Sequence, residues 1–147
     1  MIWKSEYATG IHNIDDQHRT IVELITQFEN IGETKPSLDD LHVLILRTRK
    51  FVEFHFSVEE SLMQILPYPE TVAHRAEHQR VLRRIADIEN GLLRESMKNE
   101  LAALMRDCLF DHIVAGDKWL GQYAFGLYGP RPSRGGQDRR AGPEGPN

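Results

Sequence analysis

Four stretches of this chain set apolar residues at helical spacing, and each stripe is interrupted where another hydrophobe would be expected. The first stripe is His18, Ile21, Val22, Ile25 and Phe28. The second runs Leu41, Leu44, Ile45, Thr48, Val52, His55, Glu59 and Leu62, and the third His74, His78, Val81, Leu82, Ile85, Ile88 and Leu92. The fourth runs Leu101, Leu104, Met105, Cys108, Leu109, His112 and Ile113. Residues three and four apart share one helical face, so the stripes place these histidines and Glu59 on the sides that turn inward. A buried imidazole or carboxylate is costly unless it finds a partner. One inward histidine is usually a satisfied core residue. Five of them with a carboxylate, spread over four helices, call for a common partner, and a metal centre supplies one.

The punctuation between stripes supports four helices. The first is expected to begin after Asn13 or Ile14, with Asp15 as its cap, and to end at Gly32. After Pro36, Ser37-Leu-Asp-Asp40 resembles a capping box with Asp in place of Glu. Pro67-Tyr68-Pro69 breaks the chain before the third stripe. Short connections favour antiparallel neighbours, which predicts an all-α, up-down-up-down four-helix bundle. Residues 1–12, with Trp3 and Tyr7, are expected to form an extended arm that carries an exposed His12. His42 falls on the outer side of the second helix with Leu46, Arg49 and Glu53.

Beyond the helices the composition changes. Residues 129–147 read GPRPSRGGQDRRAGPEGPN, with only Ala141 apolar, and such a segment cannot offset its own ordering entropy. The chain therefore divides into a bundle domain, 1–128, and a disordered Gly/Pro/Arg tail, 129–147, able to dock an unknown protein partner. The net charge of −4 argues against nucleic acid as a partner. No stretch reaches the roughly 20 apolar residues needed to cross a bilayer, and Met1-Ile-Trp-Lys-Ser-Glu-Tyr has no apolar run of signal length. Cys108 is the single cysteine, so no intrachain disulfide forms. A monomeric cytoplasmic protein is the expectation.

The spacing of the inward residues suggests how many metals they serve. His55 and Glu59, like His74 and His78, are four apart, about 40° around a helix, so each pair reaches one point. Five imidazoles and a carboxylate exceed what a four-coordinate zinc site uses. Asp117, five residues after His112, offers a second carboxylate. If Glu59, Asp117 and one solvent oxygen bridge two octahedral metals, all coordination positions but one are filled. His112 and Asp117 are awkwardly spaced for this. On a regular helix they stand about 140° apart, so joint ligation requires a π-type turn or an early end to regular helix. Gly116, lacking a Cβ, eases such a distortion.

From Trp3 to about Tyr123 these residues together resemble the hemerythrin family, in its single-domain bacterial form. The resemblance rests on Gly10-Ile11, Ile14-Asp15, Gln17-His18, His55-Phe56-x-x-Glu59-Glu60, Leu62-Met63, Tyr68-Pro69, His74-x-x-x-His78 and His112-x-x-x-x-Asp117. It implies two iron ions (Fe2+/Fe3+) with a bridging oxo or hydroxo group. It assigns one iron to His74, His78 and His112 and the other to His18 and His55, with Glu59 and Asp117 bridging. The implied activity is reversible dioxygen binding, as carrier, store or delivery protein, and not catalysis. An oxygen or redox sensor, or an iron or nitric-oxide buffer, would use the same centre. Ile21, Phe56, Cys108, Leu109 and Ile113 are expected to line the oxygen pocket. At Cys108 family members commonly carry Trp, which puts the stability of the oxygenated state in question.

The enzyme alternative is a zinc peptidase, because His74-Arg-Ala-Glu77-His78 fits the H-x-x-E-H pattern. That reading leaves His18, His55, Glu59 and His112 without a purpose.

Overall fold

A computed structural model describes residues 1–30, 37–91, 103–104, 106 and 110–126 of the chain. The expectations for Gly32, Leu92, Leu101, Met105, Cys108, Leu109 and the tail 129–147 lie outside the described residues. The fold is an all-α four-helix bundle. Its helices are α1 (His12–Glu29), α2 (Leu38–Ile65), α3 (Thr71–Gly91) and, on the fourth leg, a π-helical turn (His112–Asp117) that runs into α4 (Lys118–Ala124).

The start of α1 departs from the expectation. The helix begins at His12, and Ile11 is its capping position, without a side-chain cap. Asp15 is buried inside the first turn and reaches back to the arm. Its carboxylate accepts from the backbone N–H of Thr9 at 2.7 Å, the Thr9 hydroxyl at 2.8 Å and the backbone N–H of Gly10 at 3.1 Å. The arm's orphan donors compete for that carboxylate, so Asp15 clamps the arm and does not cap the helix. His12 is thus the first residue of α1 and not part of the arm; it is exposed, as expected, and pairs with Asp16 at 3.4 Å.

The start of α2 follows the expectation. The Ser37 hydroxyl accepts from Asp40 N–H and the Asp40 carboxylate from Ser37 N–H, both at 3.1 Å. His42 is exposed. Leu66 leaves helical geometry just before Pro67, and α3 restarts at Thr71. With only residues 66–70 between them, α2 and α3 pack as antiparallel neighbours.

The apolar interior lies on both sides of the interrupting residues. Along α2, the large cluster takes Leu41, Ile45, Val52 and Phe56, and a smaller one takes Met63 with Tyr68 and Leu120. Glu59 lies between them in the sequence of the helix, and His55 directly precedes Phe56.

The arm folds across this bundle with a short 3-10 turn at Ser5–Tyr7. Tyr7 meets the Phe110 ring edge-on at 5.0 Å, and Trp3 lies 6.1 Å from the His18 ring. Gly121 allows the closest approach. A Cβ built there would stand 2.3 Å from the Thr9 carbonyl oxygen, so backbone must shift to admit any side chain. Gly121→Ala should destabilise the chain by about 1–3 kcal/mol in denaturant unfolding, as overpacked sites do. Unchanged stability would show that the arm is not seated on the fourth leg.

Candidate metal centre

All seven residues singled out as ligands come together in the bundle interior, and all are buried. α1 supplies His18, α2 supplies His55 and Glu59, α3 supplies His74 and His78, and the fourth leg supplies His112 and Asp117. The π turn is what brings the last pair together. Its i to i+5 hydrogen bonding winds more residues into each turn, so residues five apart move toward one face. His112 Nε2 then lies 3.0 Å from Asp117 Oδ1. Gly116 has a second role beyond easing the turn. A Cβ there would press on the His112 ring at 3.3 Å and the His74 ring at 3.4 Å.

The seven form two groups that share both carboxylates. One is Glu59, His74, His78, His112 and Asp117; the other is His18, His55, Glu59 and Asp117. Within each group one donor atom per residue lies within 4.8 Å of all the others. Each carboxylate divides its oxygens between the groups. Glu59 Oε2 faces His74 at 3.4 Å and His78 at 3.2 Å, while Oε1 faces His55 at 3.8 Å. Asp117 Oδ1 faces His74 at 3.2 Å and His112, while Oδ2 faces His18 at 3.1 Å and His55 at 3.7 Å.

These contacts are close without being hydrogen bonds in several cases. His18 Nε2, His55 Nε2, His112 Nε2, Glu59 Oε1 and both Asp117 oxygens are buried with no hydrogen-bond partner among the described residues. Leaving one such atom unpaired costs about 1–3 kcal/mol. Six of them converging on two points is the arrangement of donors around cations, and imidazole with carboxylate suits first-row transition metals. The residues present therefore fit a metal pair.

Electrostatics in the metal-free cluster lead to the same conclusion. Burial and the Asp117 charge push the Glu59 pKa up, but His55, His74 and His78 prevail and hold it at about 2. Burial likewise raises the Asp117 carboxyl, yet His112, His18 and His55 bring it well below its ordinary value. Burial opposes charge on His74, but Asp117 and Glu59 raise it to about 9. His55 is also raised, Glu59 and Asp117 overcoming its burial. Without metal, protons take the cation's place.

A pH dependence follows from these shifts. His74, raised above its ordinary 6.5, contributes stability that is fully present below pH 6.5 and lost as pH rises through about 9. Glu59, lowered from 4.5, contributes stability present above pH 4.5 and lost as pH falls through about 2. Metal-free protein should melt highest between pH 4.5 and 6.5 and at falling temperature from 6.5 to 9. Metal uptake should strengthen over that second interval, because imidazole must lose its proton to bind. Calorimetry showing a flat or rising melting temperature from pH 6.5 to 9 would contradict the ion network.

The polar atoms behind the ligands were not foreseen from sequence. Gln17 Oε1 lies 3.0 Å from His55 Nδ1, and Glu60 Oε1 lies 3.0 Å from His78 Nδ1. Both belong to motifs that carry the family resemblance, but the sequence gives neither a role of its own, because the immediate neighbour of an inward residue normally reads as solvent-facing. Of the expected pocket lining, Ile21, Phe56 and Ile113 are buried in the large core cluster. Phe56 stacks on the His78 ring at 3.8 Å and meets His112 edge-on at 5.3 Å. Glu77 lies at the surface in an ion pair with Arg80, so the H-x-x-E-H pattern does not bring its glutamate to the imidazoles as a general base.

Fold and site together define a helical-bundle protein with a buried dinuclear-type cluster of histidines and shared carboxylates. The model of the hemerythrin HHE cation binding domain matches residues 9–124. The chain belongs to the hemerythrin family. It is 28% identical to a bacteriohemerythrin of Stenotrophomonas maltophilia (strain R551-3), over 80% of this chain and 77% of that one. It is 30% identical to one of Pseudomonas aeruginosa (strain LESB58), over 80% and 76%. A third, from Methylococcus capsulatus, is 29% identical over 88% and 95%. No solved structure gives a significant match.

Proposed function

We propose that this chain binds dioxygen reversibly, as a carrier or store, at a di-iron centre held by His18, His55, Glu59, His74, His78, His112 and Asp117. The observation that carries this reading is the division of each carboxylate's two oxygens between the two imidazole groups. A carboxylate so placed would hold two cations at once. Iron, when bound, supplies the two electrons that dioxygen takes up on binding and returns on release. The side chains determine whether that exchange stays reversible.

Three imidazoles on one side against two on the other leave the His18/His55 side short of a donor, and a small ligand would take that coordination position. Phe56, stacked on His78, presents an apolar face among the imidazoles and keeps water and its protons away from them. Gln17 and Glu60 fix the rings of His55 and His78, holding Nε2 toward the centre. Trp3 and Tyr7 of the arm shield the side of His18 and the fourth leg. In this reading residues 1–128 carry the whole activity in a monomeric cytoplasmic protein, and 129–147 are peripheral to it.

The test is anaerobic loading with ferrous iron followed by gas-uptake measurement. Two iron atoms per chain and one dioxygen per iron pair are expected. Tight binding of a single zinc ion in place of an iron pair would overturn the assignment.

A further inference from the structure

Each imidazole facing the centre has a second ring nitrogen turned away from it, and the partner of that nitrogen tunes how strongly the first one donates. On the three-histidine side, His78 Nδ1 lies 3.0 Å from Glu60 Oε1. An ionised carboxylate only accepts, so Nδ1 carries a proton toward Glu60, and Nε2, 3.2 Å from Glu59, is the nitrogen that would face a metal. The other Glu60 oxygen pairs with the Arg75 guanidinium, its Nε at 3.0 Å. On the two-histidine side, His55 Nδ1 meets the neutral amide oxygen of Gln17, also at 3.0 Å. The two distances are equal and the charges are not. A charged acceptor draws the Nδ1 proton further from the ring than an amide does, which makes the opposite nitrogen the stronger donor. With His78 1% exposed and Glu60 26%, solvent does little to screen this difference, whereas Arg75, at 50%, ends the relay at the surface.

We propose that Glu60 and Gln17 make the two metal positions unequal. Glu60 acts through His78 to make the three-histidine position tighter and more electron-rich, and Arg75 moderates that effect from the surface. The inference rests on the di-iron reading above. Glu60, Gln17 and Arg75 are positioning residues in it, acting only through the imidazoles or through Glu60. Arg75 sets the sign apart from a merely structural strut. Removing it leaves the Glu60 charge unshared, so the hydrogen bond to His78 strengthens.

The experiment is an anaerobic calorimetric titration of the full chain with ferrous iron alone, paired with potentiometry of the loaded protein. Wild type should take up two ions in two resolved steps. Glu60→Gln keeps the acceptor but not the charge, and should weaken the tighter step about tenfold, leave the other unchanged and raise the reduction potential. Arg75→Gln should tighten that same step, and Gln17→Glu should tighten the weaker one. A wild type that does not take up two ions sinks the di-iron reading and this inference with it. A wild type that does, with Glu60→Gln weakening both steps equally or neither, overturns the inference alone. So does Arg75→Gln weakening the tighter step, the mark of a strut.

Discussion

Asp117→Ala should reduce iron uptake from two ions per chain to fewer than one, because it removes a donor from both metal positions at once. One of its oxygens stands among His74 and His112, and the other among His18 and His55. The loss leaves those four imidazoles with Glu59 as the only remaining carboxylate of the cluster. Asp117→Asn keeps the shape but not the charge or the second acceptor oxygen, and should fall between wild type and Ala. Metal analysis after desalting reads both. An Asp117→Ala protein that kept two firmly held irons would show that the π turn serves packing alone.

Phe56→Ala should produce the largest loss of stability among changes that leave every donor in place. The ring is 2% exposed, stacked on His78 and in edge contact with His112. Truncating a buried Phe costs about 3–5 kcal/mol, and the cavity here would open beside imidazoles that can hold water. Denaturant unfolding of the metal-free chain should show the loss, and loaded protein should oxidise irreversibly faster than wild type. Phe56→Leu, which fills most of the volume, should retain most of the stability. A stability loss without faster oxidation would limit Phe56 to packing.

Much of this fold and centre was legible in the order of residues, for physical reasons that differ by element. The stripes of α1, α2 and α3 were legible because helical spacing fixes which residues share a face, and burial follows the face. A break from regular helix was legible because His112 and Asp117 could not meet on a straight one, and of the two forms open to it, a π turn or an early helix end, the structure shows the π turn. The start of α1 was misplaced because Asp before an apolar stripe resembles a cap, whereas Asp15 serves donors of the arm six and five residues upstream. That contact depends on how the arm folds back, which local pattern does not encode. Gln17 and Glu60 were missed for a related reason. Each sits one residue, about 100°, around its helix from a ligand, and only packing against a neighbouring helix turns it toward an imidazole. Gly121 gave no signal at all, since its need for a missing Cβ arises from Thr9, far away in sequence.

The most direct measurement is an optical one on iron-loaded protein, carried through repeated cycles of oxygen and vacuum. Near-ultraviolet and visible bands should appear with oxygen, vanish under vacuum and return at full amplitude, with iron content unchanged at two per chain. Bands that form once and never reverse, or no oxygen-dependent band from a chain holding two irons, would contradict reversible dioxygen binding at this centre.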